Sequence, residues 1–211
     1  MKELGKSHDE LISITLRLLI LFFVVFNFAA IALQIESGET PNTPGTVVDK
    51  FNGGVLWMAS MVALFTAALR YPDYPRFFLW LAISAGAGAL SIDEVFEKHE
   101  WTASVVGDDD YIKLGMMAMA VTGLILLHSL ERPRAKVTGL FILGFFFHCC
   151  YLACDFGDGD FFTLPFERLT LYWAEELFEM LAIQSYFSAL VIFFISQAQP
   201  EFWCDNVGEK R

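Results

Sequence analysis

Six long runs without a formal charge, at 18–35, 51–69, 77–92, 114–130, 137–154 and 180–200, constrain this chain more than any other feature. They hold 18, 19, 16, 17, 18 and 21 residues. About 20 helical residues cross a hydrocarbon core of roughly 30 Å, within a usual range of about 17–25. Five runs meet that length, and the 16-residue run meets it when its ends reach into the interface. None alternates as a barrel strand does, and each is apolar around the full helical circumference. The connections between runs are short. The chain therefore reads as all-α, a six-helix transmembrane bundle forming one integral membrane domain over 1–211. Its helices are expected at about 11–35, 51–70, 76–100, 111–130, 136–155 and 171–198.

Composition sharpens this reading once the charges are placed. Hydrophobic residues make up 55% and charged residues 18%, yet the net charge is −11. Such a chain is neither disordered nor a basic nucleic-acid binder, and four cysteines make no disulfide scaffold. Six crossings put Lys2, Lys6, Arg17, Arg70, Arg76, Arg132, Arg134, Lys136, Lys210 and Arg211 on one side, and Lys50, Lys98, Lys113 and Arg168 on the other. The positive-inside rule then places both termini in the cytoplasm, in a multi-pass protein of a bacterial inner membrane. Eight acidic residues share the inner side and 17 the outer, so the faces carry +2 and −13. The negative balance belongs to one surface.

The first run, preceded by Lys2 and Lys6, imitates a secretory signal, and Ala30-Ile31-Ala32 imitates a cleavage site. Its 18 apolar residues exceed the usual signal length of about 7–15, so an uncleaved helix is expected. The third run holds an unbroken small-residue stretch from Ser84 to Ala89, which predicts close helix approach and an interior position. The 22 Phe read as lipid-facing and packing residues.

The chemistry lies at two of the outer helix ends. The third run closes on SIDEVFEKHEW, where Asp93, Glu97 and Glu100 fall on one helical stripe, with Glu94 joining from the side. His99 points away from that stripe unless the helix ends before it. The last helix opens with Glu175, Glu176 and Glu179, in which Glu179 is one turn from both others. His148 and Asp155 share a face of the fifth helix and form a secondary pair of candidates. An ionisable group in the hydrocarbon costs about 2.5–3.5 kcal/mol on insertion scales, so buried acids mark function, whereas acids among headgroups mark only a solvated rim. Carboxylates suit Ca²⁺, Mg²⁺ or Mn²⁺, and adding His99 or His148 admits Zn²⁺ or iron. No haem, flavin or nucleotide signal is present. Asp155-Phe-Gly-Asp158-Gly-Asp160 lacks the EF-hand spacing and reads as an acidic turn. Cys149, Cys150 and Cys154 read as packing residues.

Asp93-Glu94…His99-Glu100, followed by Glu175-Glu176…Glu179-Met180, resembles a pattern in uncharacterised bacterial multi-pass membrane proteins with no assigned function. The resemblance implies that the two acidic segments belong to one site. The zinc hydrolases of the ceramidase-like and adiponectin-receptor-like kinds use a His-x-x-x-His spacing and buried histidines that this chain lacks. Three functions follow as expectations. The first is a carboxylate cluster binding a divalent cation, as an enzyme or for structure. The second is a proton or cation transporter or channel subunit, and the third a partner-binding subunit whose acids are a solvated rim. The lipid bilayer is the expected partner, with no nucleic acid.

Overall fold

In the computed structural model, which describes residues 2–40, 45–96, 109–156 and 166–197, the described chain is helical throughout its regular structure. The helices are α1 (Lys2–Ser37), α2 (Val47–Arg70), α3 (Tyr74–Phe96), α4 (Asp109–Glu131), α5 (Ala135–Phe156) and α6 (Arg168–Gln197). All six are long and apolar enough to span a membrane. Each connection has a local cause. Helix α1 stops at Gly38, whose φ of 75° is left-handed. Thr46 caps α2 through a reciprocal pair with Asp49, at 3.2 and 2.8 Å. Tyr71 turns extended before Pro72 and ends α2. Arg132, at φ 46° before Pro133, ends α4.

Helix α6 is the axis of the bundle, with thirteen buried residues, and it packs on α1, α2 and α5. Helix α3 does not hold the interior position expected from its small residues: only Leu79, Trp80, Ser84 and Ser91 are buried. One face of the small stretch meets α2, where Ser60 and Ser84 exchange bonds to each other's carbonyl at 2.8 and 2.9 Å. The other face, Gly86 and Ala89, lies open along a cavity. Small residues permit close approach on whichever face a neighbour occupies, and here a neighbour occupies only one.

Helix α1 offers α6 a stripe at alternating spacings of three and four residues, the repeat that keeps one seam against a partner. Phe23 meets Phe187 edge to face at 6.0 Å, and Asn27 exchanges two amide bonds with Gln184 at 3.1 and 2.5 Å. Ala30 packs in one cluster with Val48 and Met180. Residues along this seam rise on α1 as they fall on α6, so the two helices run antiparallel.

Two ends of the bundle are chemically distinct. One holds the start of α2 and α6 and the ends of α1, α3 and α5, and it carries the acids. At the other, Arg70 grips Glu131 through Nε at 2.9 Å and a terminal nitrogen at 2.5 Å. Trp80 Nε1 donates to the same carboxylate at 2.7 Å, and the guanidinium lies 5.6 Å from the Phe193 ring centre.

A buried carboxyl centre at the acidic end

The α2–α3 hairpin positions the first acid. Gly53 has no side chain to hold α3 away: a Cβ there would meet Val95 Cγ2 at 2.6 Å and Ser91 O at 3.2 Å. Ser91 Oγ donates to Gly53 O at 2.7 Å and locks the approach. Three residues beyond Ser91, the Glu94 carboxyl is carried across to α6, where it is hydrogen-bonded to the Glu179 carboxyl. Two carboxyls face each other in this way only with a proton or a cation between them. Asn52, 1% exposed on α2, completes the group by donating its Nδ2 to Glu179 Oε2 at 3.4 Å. Residues 85 and 127 positions apart in sequence thus converge on Glu179.

Glu176 lies one turn away and is 9% exposed, with Glu179, Asp49 and Glu175 within electrostatic reach. Its Oε2 has no hydrogen-bond partner among the described residues, and neither does Asn52 Oδ1. Gln34 on α1 shares this condition: it is fully buried, and neither of its amide atoms is bonded among the described residues. The α1–α6 seam explains its position. Phe23 opposite Phe187, Asn27 opposite Gln184 and Ala30 beside Met180 set a register that, continued by one turn, puts Gln34 opposite Glu176.

A second set of polar groups lies on the α5 side of α6. Glu179, Asp155, Glu175 and Glu94 are all within electrostatic reach of the Tyr151 phenol. Cys154, with Glu175 and Asp155 as charged neighbours, lies in the same region. Glu175 and Glu176 are 100° apart on the helix and Glu179 falls between them, so one helical turn serves both sides. His148 stands one turn nearer mid-bundle, its ring centre 5.7 Å from that of Tyr151 and its Nε2 buried without a partner among the described residues.

The two acidic segments are therefore brought together, and among the described residues the contact runs through Glu94, the member that the spacing set beside the stripe. Asp93 headed the expected stripe and Glu94 was the side member. Glu94 makes the contact with α6, while Asp93 lines the cavity on the other face of α3. The reason is the closeness of α2 and α3 at Gly53, which decides which face of α3 looks at α6. Glu97, His99, Glu100 and Asp158-Gly-Asp160 lie outside the described residues. Among the described residues, no three His, Cys, Asp or Glu side chains gather so that they alone hold a metal ion. The sequence reading missed Gln34, Asp49, Asn52 and Tyr151. Three of the four had a visible signal: Gln34 and Asn52 are amides inside apolar runs, and Asp49 stands at the capping position after Thr46.

Depth follows from helix arithmetic. Asn52 and Arg70 are 18 residues apart on α2, about 27 Å at 1.5 Å per residue, against a hydrocarbon core of roughly 30 Å. With Arg70 at one boundary, the carboxyl layer lies at the other. It is the protein rather than lipid that buries it, because α6 continues eleven residues beyond Glu179 to Arg168.

No curated protein and no solved structure matches the chain. A family model matches residues 50–193, a region that contains Asn52, Glu94, Glu176 and Glu179 and excludes α1 with Gln34. By that match, over about two thirds of its length, the chain belongs to the family described as Domain of unknown function (DUF8692).

Proposed function

We propose that this multi-pass membrane protein, with both termini cytoplasmic in a bacterial inner membrane, binds a divalent cation in its carboxyl centre. The pairing of the Glu94 and Glu179 carboxyls carries the reading, because that contact needs a proton or a cation between the two groups, and a cation also uses the unbonded oxygens beside them. Two buried oxygens without partners among the described residues, Asn52 Oδ1 and Glu176 Oε2, adjoin the pair and supply further hard ligands. Two carboxylates, an amide oxygen and retained waters form the donor set of Mg²⁺ or Mn²⁺, which dehydrate reluctantly and seldom occupy all-protein cages. A solvated rim would leave these groups in water, whereas Asn52 and Glu176 are buried. Such a centre suits metal-assisted activation of water, which makes hydrolysis the reaction class to assay.

Manganese binding to the purified protein in nanodiscs, followed by electron paramagnetic resonance, tests this reading. One ion per chain is expected for the wild type, with about tenfold or weaker binding in Glu94→Gln and in Glu179→Gln. Absence of specific uptake, or equal uptake in all three proteins, rejects it. One observation favours a second reading, cation movement through the bundle. The Asn27–Gln184 amide pair continues polarity about 8 Å along α6 from Glu179. Beyond it Trp80 lies tilted against Phe193 at 4.7 Å, and liposome flux no greater than that of empty vesicles removes the transport reading.

A further inference from the structure

A second feature adjoins the centre on a neighbouring face of α3. An apolar cavity of about 730 Å³ lies among α2, α3, α4, α5 and α6. It follows α3 from Leu79 to Asp93, 14 residues or about 21 Å, which exceeds the roughly 15 Å of hydrocarbon in one leaflet. Its width comes from missing side chains. Gly86 on α3 and Gly123 on α4 both line it, and a Cβ at either meets no atom within 4 Å. Protein interiors do not keep voids of this size empty, and a bilayer offers hydrocarbon to fill one. Two groups break the apolar lining: Asp93 at the acidic end and Tyr186, whose buried hydroxyl has no partner among the described residues.

We infer that this cavity binds one long-chain lipid amphiphile, with its tail along Gly86 and Gly123 and its head at Asp93. Charge fixes the class of head. Asp93 adjoins Glu94, which itself lies within electrostatic reach of Glu179 and Asp49, so the acids at this end repel an anionic headgroup and favour one bearing hydrogen-bond donors, hydroxyl or ammonium. The head then lies one residue along α3 from the carboxyl pair. Lipid occupancy rests on the cavity and Asp93 and does not require the cation.

The test uses a monoacylglycerol with a diazirine in its acyl chain, photolysed with the full-length protein in nanodiscs. Labelled peptides are expected from the cavity faces of α3 and α4, around Gly86 and Met119. Gly86→Leu combined with Gly123→Leu fills the cavity and should lower that labelling about tenfold or more. A fatty-acid probe of the same chain length, with an anionic head, should label about tenfold less, and Asp93→Asn should narrow the difference. Glu179→Gln, which removes the carboxyl pair and with it the cation reading, should leave labelling unchanged. Labelling spread over the exposed face of α1 in the wild type overturns the inference without relying on any variant. So does equal labelling of a folded cavity-filled protein, indifference to head charge, or loss of labelling in Glu179→Gln.

Discussion

The two ends of the bundle handle buried carboxyls in opposite ways. At the Arg70 end, the Glu131 side chain is 1% exposed, yet both of its oxygens are bonded and a guanidinium neutralises it. At the acidic end, Glu94 meets another carboxyl, while Glu176 Oε2, Asn52 Oδ1 and both amide atoms of Gln34 meet nothing among the described residues. Unsatisfied buried polar atoms cost about 1–3 kcal/mol each, so a chain that needed only a fold would resolve them as it resolves Glu131. The saturated end is a clamp joining α2, α3 and α4. The unsaturated end holds the oxygens that the proposed cation would use.

This contrast can be broken by mutation. Arg70→Ala should cost about 3–5 kcal/mol, because it leaves Glu131 buried and unpaired. Glu94→Gln in chelator-treated protein should instead be neutral or stabilising. Thermal unfolding in detergent measures both, and an equal loss in the two variants would make the acidic centre a structural clamp as well. The next effect in size comes from the ligand. Magnesium at about 100 times its dissociation constant should stabilise the wild type by about 2.7 kcal/mol and leave Glu179→Gln unmoved. Gly53→Ala should cost about 1–3 kcal/mol by forcing α3 away from α2 and should weaken manganese binding. Gly54→Ala, whose new Cβ meets nothing within 4 Å, is its control. Gln184→Leu should cost about 0.6–2 kcal/mol through the lost amide pair with Asn27, with cation affinity retained. A fall in affinity as large as that of Glu179→Gln would extend the centre down to mid-bundle.

Much of this was legible in the chain. The six apolar runs and the two acidic segments were plain, because hydrophobic length and helical spacing are local properties. The choice of Glu94 over Asp93 was not, since both stand at the same helix end and only the contact at Gly53 distinguishes their faces. Gln34 was harder still. An amide in an apolar run is visible, but its place opposite Glu176 depends on a register that Phe23, Asn27 and Ala30 set together.

By itself, then, the sequence determined that the chain crosses a membrane six times and gathers its negative charge at one end, because bilayer thickness imposes itself on every helix separately. The tertiary structure alone decided that Glu94 and Glu179 face each other and that Gly86 and Gly123 open a cavity rather than a tight seam. It also turned Asp93 and Glu94, adjacent in the chain, toward different surroundings. Those outcomes depend on which helix stands beside which, and in a uniformly apolar bundle that choice rests on a few small and amide residues rather than on any pattern along one helix.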